Sequence, residues 1–146
     1  MTEISETSPV HGGCLCGAVH VTVTQPPAVA ANCHCLDCRK FFAAGHNSIA
    51  IFPEDGVAIE GAVSGYTMEA ESGHPITRHF CPSCGSPIYA TGPGYAGMVM
   101  LPIAVLDGDP DPGIRPQVSV FTRSAAPWDP PLAGIPAFAG APPKRG

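Results

Sequence analysis

The residues with the most chemical capacity in this chain are its cysteines, and their spacing sorts them. Cys33, Cys35 and Cys38 fall within six residues, Cys14 and Cys16 form a pair upstream, and Cys81 and Cys84 form a pair downstream. These three groups hold all 7 cysteines. An odd count cannot be consumed by disulfides within one chain, so metal ligation or thiol chemistry is the better expectation.

Cys81-Pro82-Ser83-Cys84-Gly85 is a Cys-x-x-Cys pair closed by glycine. Such a turn brings two sulfurs onto one tetrahedral zinc ion. Gly85 permits a left-handed backbone there, and Pro82 stiffens the start of the turn. A thioredoxin-like redox pair is the rival reading, but it needs a βαβ context with the second cysteine on a helix. Gly85-Ser86-Pro87 breaks a helix at that point, so the zinc knuckle is preferred. A closed structural zinc needs four ligands. Cys14 and Cys16 are the natural second pair, because side chains at i and i+2 share one side of an extended segment. Zinc on Cys14, Cys16, Cys81 and Cys84 would clip a long loop and remove unfolded-state entropy.

Cys33, Cys35 and Cys38 are then left together. Three thiolates leave one coordination position for an incoming thiol or water, the donor count of a catalytic rather than a structural zinc. A metal there would acidify whatever it bound. His34 alternates with these ligands and is read as a packing residue behind them. Asp37 and Arg39 are candidates to support the ligands. His46 is a candidate fourth ligand or acid/base group, with a hydrogen-bonded loop histidine as its plainer reading. For the cluster as a whole, the alternatives are a second closed structural site completed by a histidine, or a redox pair among the three thiols.

Composition narrows what can surround these groups. The chain has 146 residues, of which 45% are hydrophobic and only 13% charged, enough for one domain with a real core. It carries 17 glycines and 18 prolines, which favours turns and short strands over a helical bundle. The formal charge is −5 and no Lys/Arg run exists, so nucleic acid and anionic membrane are poor partners. No apolar run reaches a membrane span, and the first residues lack a basic and apolar leader. A cytoplasmic location is expected, where cysteine clusters bind metal or catalyse rather than pair.

The elements that must position the cysteines read as strands. Gly17 to Thr24 alternates, with Val19, Val21 and Val23 on one face. Val29 to Asn32 is a short strand delivering the central thiols, followed by a short helix over Leu36 to Ala44. Asn47 to Phe52 is a strand with Ile49 and Ile51 on one face. Val57 to Glu60 and Val63 to Met68 are strands about Gly61. Ile76 to Phe80 runs into Cys81, and Ile88 to Ala90 leaves Cys84. Met98 to Val105 is the most apolar strand, and Val118 to Phe121 the last. The acidic stretch Asp107 to Gly113 lacks a closing Glu and contains two prolines, so a calcium loop is not expected. The fold class is all-β, built of small antiparallel sheets with at most short helical turns. The division is a flexible N-terminus over 1–11, a zinc-binding domain over 12–124, and a Pro/Ala-rich arm over 125–146 pinned by Trp128 and Phe138.

Gly12-Gly13-Cys14-x-Cys16-Gly17, Cys33-His34-Cys35-x-x-Cys38-Arg39-Lys40 and Phe80-Cys81-x-x-Cys84-Gly85-Ser86-Pro87 together resemble the glutathione-dependent formaldehyde-activating enzyme family, which includes centromere protein V. Gly45-His46, Ser72-Gly73 to Arg78, Arg115-Pro116 and Ala126-Pro127-Trp128 extend the likeness over roughly residues 12 to 143. The resemblance implies a β-tent fold with two Zn2+ ions per chain, one structural on Cys14, Cys16, Cys81 and Cys84 and one catalytic on Cys33, Cys35 and Cys38. It also implies a carbon–sulfur lyase that acts on a glutathione-type thiol adduct of an aldehyde such as formaldehyde. The alternatives are a zinc-dependent thiol- or aldehyde-binding module without turnover and a structural two-zinc interaction domain. The expected partners are a small thiol and an aldehyde, and the oligomeric state is left open, a homodimer included.

Overall fold

The computed structural model describes residues 3–109 and 111–142. It is mainly β, with two sheets and, among the described residues, one α-helix. The smaller sheet has the order β1-β2-β5, where β1 is Val10–Gly13, β2 is His20–Val23 and β5 is Val57–Glu60. The larger sheet adds β3 (Val29–Cys33), β4 (Asn47–Pro53), β6 (Ser64–Glu69), β7 (Pro75–Phe80), β8 (Pro87–Thr91), β9 (Met98–Pro102) and β10 (Val118–Val120). Its order is β10-β3-β4-β9-β8-β7-β6. That sheet is larger than the small sheets expected. One of its pairings, β10 with β3, is also parallel.

Side-chain alternation gives each large-sheet strand two faces. One face packs on the smaller sheet. Val19, Val21 and Val23 on the small-sheet side meet Ala50, Phe52, Ile88 and Leu101 in one buried cluster. The other face carries Val29, Ala31, Ile49, Ile51, Met100 and Val118 into a cavity. Ile49 and Ile51 do share a face, as the pattern implied, but it is the cavity face, and Ala50 and Phe52 supply the core. A two-sided apolar strand of this kind has no clean binary pattern, which is why the sequence did not say which side was the core.

Three expectations are corrected. The stretch 1–11 is not loose over its described part, since Ile4 is 4% exposed in the core and β1 begins at Val10; residues 1 and 2 lie outside the described residues. The apolar strand from Met98 stops at Pro102, where a short helical turn over Ile103–Val105 takes over. Trp128 does not pin the C-terminal arm, because it is 72% exposed. The arm is instead held by backbone bonds to the end of β10, from Ser119 N to Pro136 O and from Phe138 N to Ser119 O, each 2.9 Å. Buried Ala126 adds an apolar anchor. Residues 143–146 of the arm lie outside the described residues.

Candidate metal centres and the cavity between them

The first cysteine cluster joins two distant parts of the chain. Cys14 and Cys16 follow β1, and Cys81 and Cys84 lie in the turn between β7 and β8. Gly85 has φ +78°, the left-handed geometry the knuckle needs, and its N–H donates to Cys81 O at 2.8 Å. The sulfurs of Cys14 and Cys16 are 3.6 Å apart, and those of Cys16 and Cys81 are 3.8 Å apart. Four sulfurs at about 2.3 Å from a tetrahedral ion would sit about 3.8 Å from one another. The donor set therefore fits a metal in both chemistry and spacing. Donors already point at the sulfurs: Val19 N–H lies 3.2 Å from Cys14 Sγ and the Ser86 hydroxyl 3.2 Å from Cys84 Sγ. Hydrogen bonds of this type stabilise thiolates and fix ligand orientation.

The second cluster comes from one short segment. Cys33 ends β3 and is paired on both sides, with Asn47 of β4 and Val120 of β10. Cys35 is the N-cap of α1 (Leu36–Phe42), and its sulfur accepts from Cys38 N–H at 3.3 Å. The cap brings Cys38 back over the first turn, so three sulfurs lie within 4.8 Å of one another. Such crowding splits their acidities. Hydrogen bonds from Cys33 and Cys38 hold the Cys35 thiol far below its ordinary range, while the same contacts push Cys33 and Cys38 up. Three thiols this close cannot all ionise without a cation among them, and a bound divalent metal supplies that charge. This donor set also fits a metal.

All three of these cysteines line one cavity of about 380 Å³, the space enclosed by the outer face of the large sheet, α1 and the arm. His46 does not line it. Its Nδ1 lies 2.5 Å from Asp129 Oδ2, and its ring centroid is 5.0 Å from that of His34. Gly45 makes this possible, since a Cβ there would collide with the Asp129 carboxylate. His34 is buried behind the cysteine segment, as its alternation implied, with Nδ1 at 4.0 Å from the same carboxylate oxygen. Of the candidate supporting residues, Asp37 lines the cavity, while Arg39 donates to Ser124 O at 2.8 Å and ties α1 to the chain after β10.

Two residues that sequence reasoning passed over face the cavity instead. Arg78, on β7, is 6% exposed, its guanidinium carbon 5.7 Å from the Phe41 ring centroid. Asn47, on β4, is also 6% exposed. Arg78 Nη1 and Asn47 Nδ2 have no hydrogen-bond partner among the described residues. A charged residue at the centre of the alternating Ile76 to Phe80 strand was the signal available for the first. His79 and Tyr89, stacked with centroids 4.1 Å apart, also line the cavity.

A family model described as "Glutathione-dependent formaldehyde-activating enzyme" matches residues 9–124. A Halomonas elongata protein named "Putative glutathione-dependent formaldehyde-activating enzyme" is 30% identical over 105 residues, spanning 68% of this chain and 67% of that one. A crystal structure of a Rhodobacter sphaeroides protein superposes with a TM-score of 0.54 at 23% identity, over 73% of this chain and 97% of that chain; this similarity bears on the fold alone. With its family match spanning all seven cysteines, the chain belongs to the glutathione-dependent formaldehyde-activating enzyme family.

Proposed function

We propose that this protein is a zinc-dependent carbon–sulfur lyase that makes or breaks the bond between a small thiol and an aldehyde carbon. Glutathione and formaldehyde are the pair that the family name supplies. The observation that carries the reading is the position of Cys33, Cys35 and Cys38, three sulfurs drawn together on the wall of a cavity. Zinc held by these three would supply Lewis acidity and favour the thiolate form of a thiol substrate. In the forward direction the substrate sulfur bonds to the aldehyde carbon, the carbonyl π bond opens onto oxygen, and the proton lost by the thiol ends on that oxygen. The reverse step returns thiol and aldehyde.

The chain's own residues supply position and environment. The Cys35 cap and the two-sided pairing of Cys33 hold the ligands on rigid elements. Apolar walls exclude water, which strengthens electrostatic interactions at the reacting atoms. Arg78 supplies a fixed positive charge near Cys35. In this reading Cys14, Cys16, Cys81 and Cys84 hold a second, structural zinc, and the domain over 12–124 folds around both. Seven free thiols suit a reducing, cytoplasmic setting.

The test is exchange NMR of isotopically labelled formaldehyde with glutathione, with and without the zinc-loaded protein. Exchange faster than the spontaneous reaction, and lost in Cys35→Ser, is expected. Exchange at the spontaneous rate would remove that substrate pair.

A further inference from the structure

The cavity beside Cys33, Cys35 and Cys38 has walls of one chemistry and partners of another. Val29, Ala31, Ile49, Ile51, Met100 and Val118 give it a continuous apolar floor from neighbouring strands of one sheet. Phe41 and Tyr95 are among the aromatic residues that enclose it. Against this background, Arg78 and Asn47 each keep a buried donor without a partner among the described residues. An unsatisfied buried donor is costly. Both groups donate only in these positions, so the ligand that completes them must accept. For Arg78 a carboxylate fits best, because it matches the guanidinium fork.

We infer that the cavity takes a thiol, or its aldehyde adduct, that has an apolar or aromatic body and one carboxylate, held by Arg78. Glutathione fits these walls poorly. It is a zwitterionic tripeptide with two carboxylates, and among the described lining residues Arg78 is the one Lys or Arg side chain, while Asp37 and Glu71 oppose a second carboxylate. A volume of about 380 Å³ suits a compact ligand with an aromatic ring, at the lower end of the range for small-molecule sites. This inference rests on the proposed thiol chemistry at the three cysteines and narrows its substrate class.

Four thiols separate the features when titrated calorimetrically into the zinc-loaded full chain. α-Mercaptohydrocinnamate has a thiol, a phenyl ring and a carboxylate. Phenethyl mercaptan lacks the carboxylate, mercaptoacetate lacks the ring, and glutathione is the family's named thiol. The mercaptohydrocinnamate should bind about tenfold or more tightly than each of the other three. In Arg78→Gln its advantage over phenethyl mercaptan, taken as the ratio of the two affinities in the same variant, should vanish. Glutathione binding as tightly as the aromatic acid would overturn the inference and leave the thiol site standing. Retention of the carboxylate preference in Arg78→Gln would overturn the role of Arg78. Failure of every thiol to bind would overturn both the inference and the function on which it rests. The series in the unaltered protein decides the ligand class even if Arg78→Gln does not fold.

Discussion

The two cysteine clusters use the same ligand atom for opposite ends. Cys14, Cys16, Cys81 and Cys84 come from two segments far apart in sequence, and Cys81 is fully buried against the core. Cys33, Cys35 and Cys38 come from one segment and line a cavity. The first arrangement draws two strand ends together and offers four ligands to one metal, the structural role proposed above. The second costs the fold little if disturbed, because β3, β4 and α1 are already held by backbone pairing and by Arg39. Under the proposed function, donor number and chain separation, not donor type, are what divide the two thiol clusters between folding and chemistry.

Breaking the first cluster should have the largest effect. A structural zinc contributes on the order of 10 kcal/mol or more to folding, comparable with the whole stability of a small domain. Cys81→Ser, at a fully buried position, should therefore leave little folded protein. Near-ultraviolet circular dichroism and zinc content after purification measure this. A folded variant with an unchanged melting temperature would show that the four-sulfur site does not hold the sheets together.

The second cluster should respond in the opposite sense. Cys35→Ser should fold, with its melting temperature lowered by no more than about 5 °C, yet bind one zinc ion fewer and lose exchange activity. Stepwise chelation of the unaltered protein gives the same contrast without mutation, one ion leaving before any loss of secondary structure. If Cys35→Ser and Cys81→Ser lowered the yield of folded protein equally, the division between the clusters would collapse.

The sequence made this contrast legible because ligand counting needs only local spacing. The Cys-x-x-Cys turn with Gly85, the alternation around Val21 and the strand leading to Cys33 are all short-range patterns, and they match the structure. The misses are long-range. Ile49 and Ile51 gave a correct face but not its partner, since a strand apolar on both sides does not say which face meets the core. Arg78 lay within the Ile76 to Phe80 strand with no site role assigned to it, although the fold turns it inward against Phe41. Asp129 had no local signal at all. Its carboxylate meets His46 across 83 positions, through a chain path that only the tertiary structure fixes.

Asp129 tests whether the three-sulfur segment depends on support from behind. Its carboxylate holds His46 and lies near His34, which sits between two of the ligands. Groups that orient a ligand segment commonly contribute about tenfold or more to metal affinity. Asp129→Asn should therefore weaken zinc at Cys33, Cys35 and Cys38 by about that factor and leave the four-sulfur site unchanged. Competition with a chromogenic chelator reads the two affinities separately. Equal weakening of both ions would mean that Asp129 stabilises the fold at large rather than this segment.

Trp128 is the neighbour that should do almost nothing. It precedes Asp129 directly, yet 72% of its surface is exposed, so it buries little apolar area on folding. The arm's hold on β10 runs through the backbone bonds of Ser119 and Phe138, which a change at position 128 leaves intact. Trp128→Ala should thus change stability by less than about 0.5 kcal/mol and zinc affinity not at all. Thermal unfolding at several protein concentrations measures this. A large, concentration-dependent loss would mean that the exposed indole is covered in solution by a second copy of the chain. In that event the arm would link the three-sulfur cluster to assembly, and the two clusters would no longer differ simply as chemistry and fold.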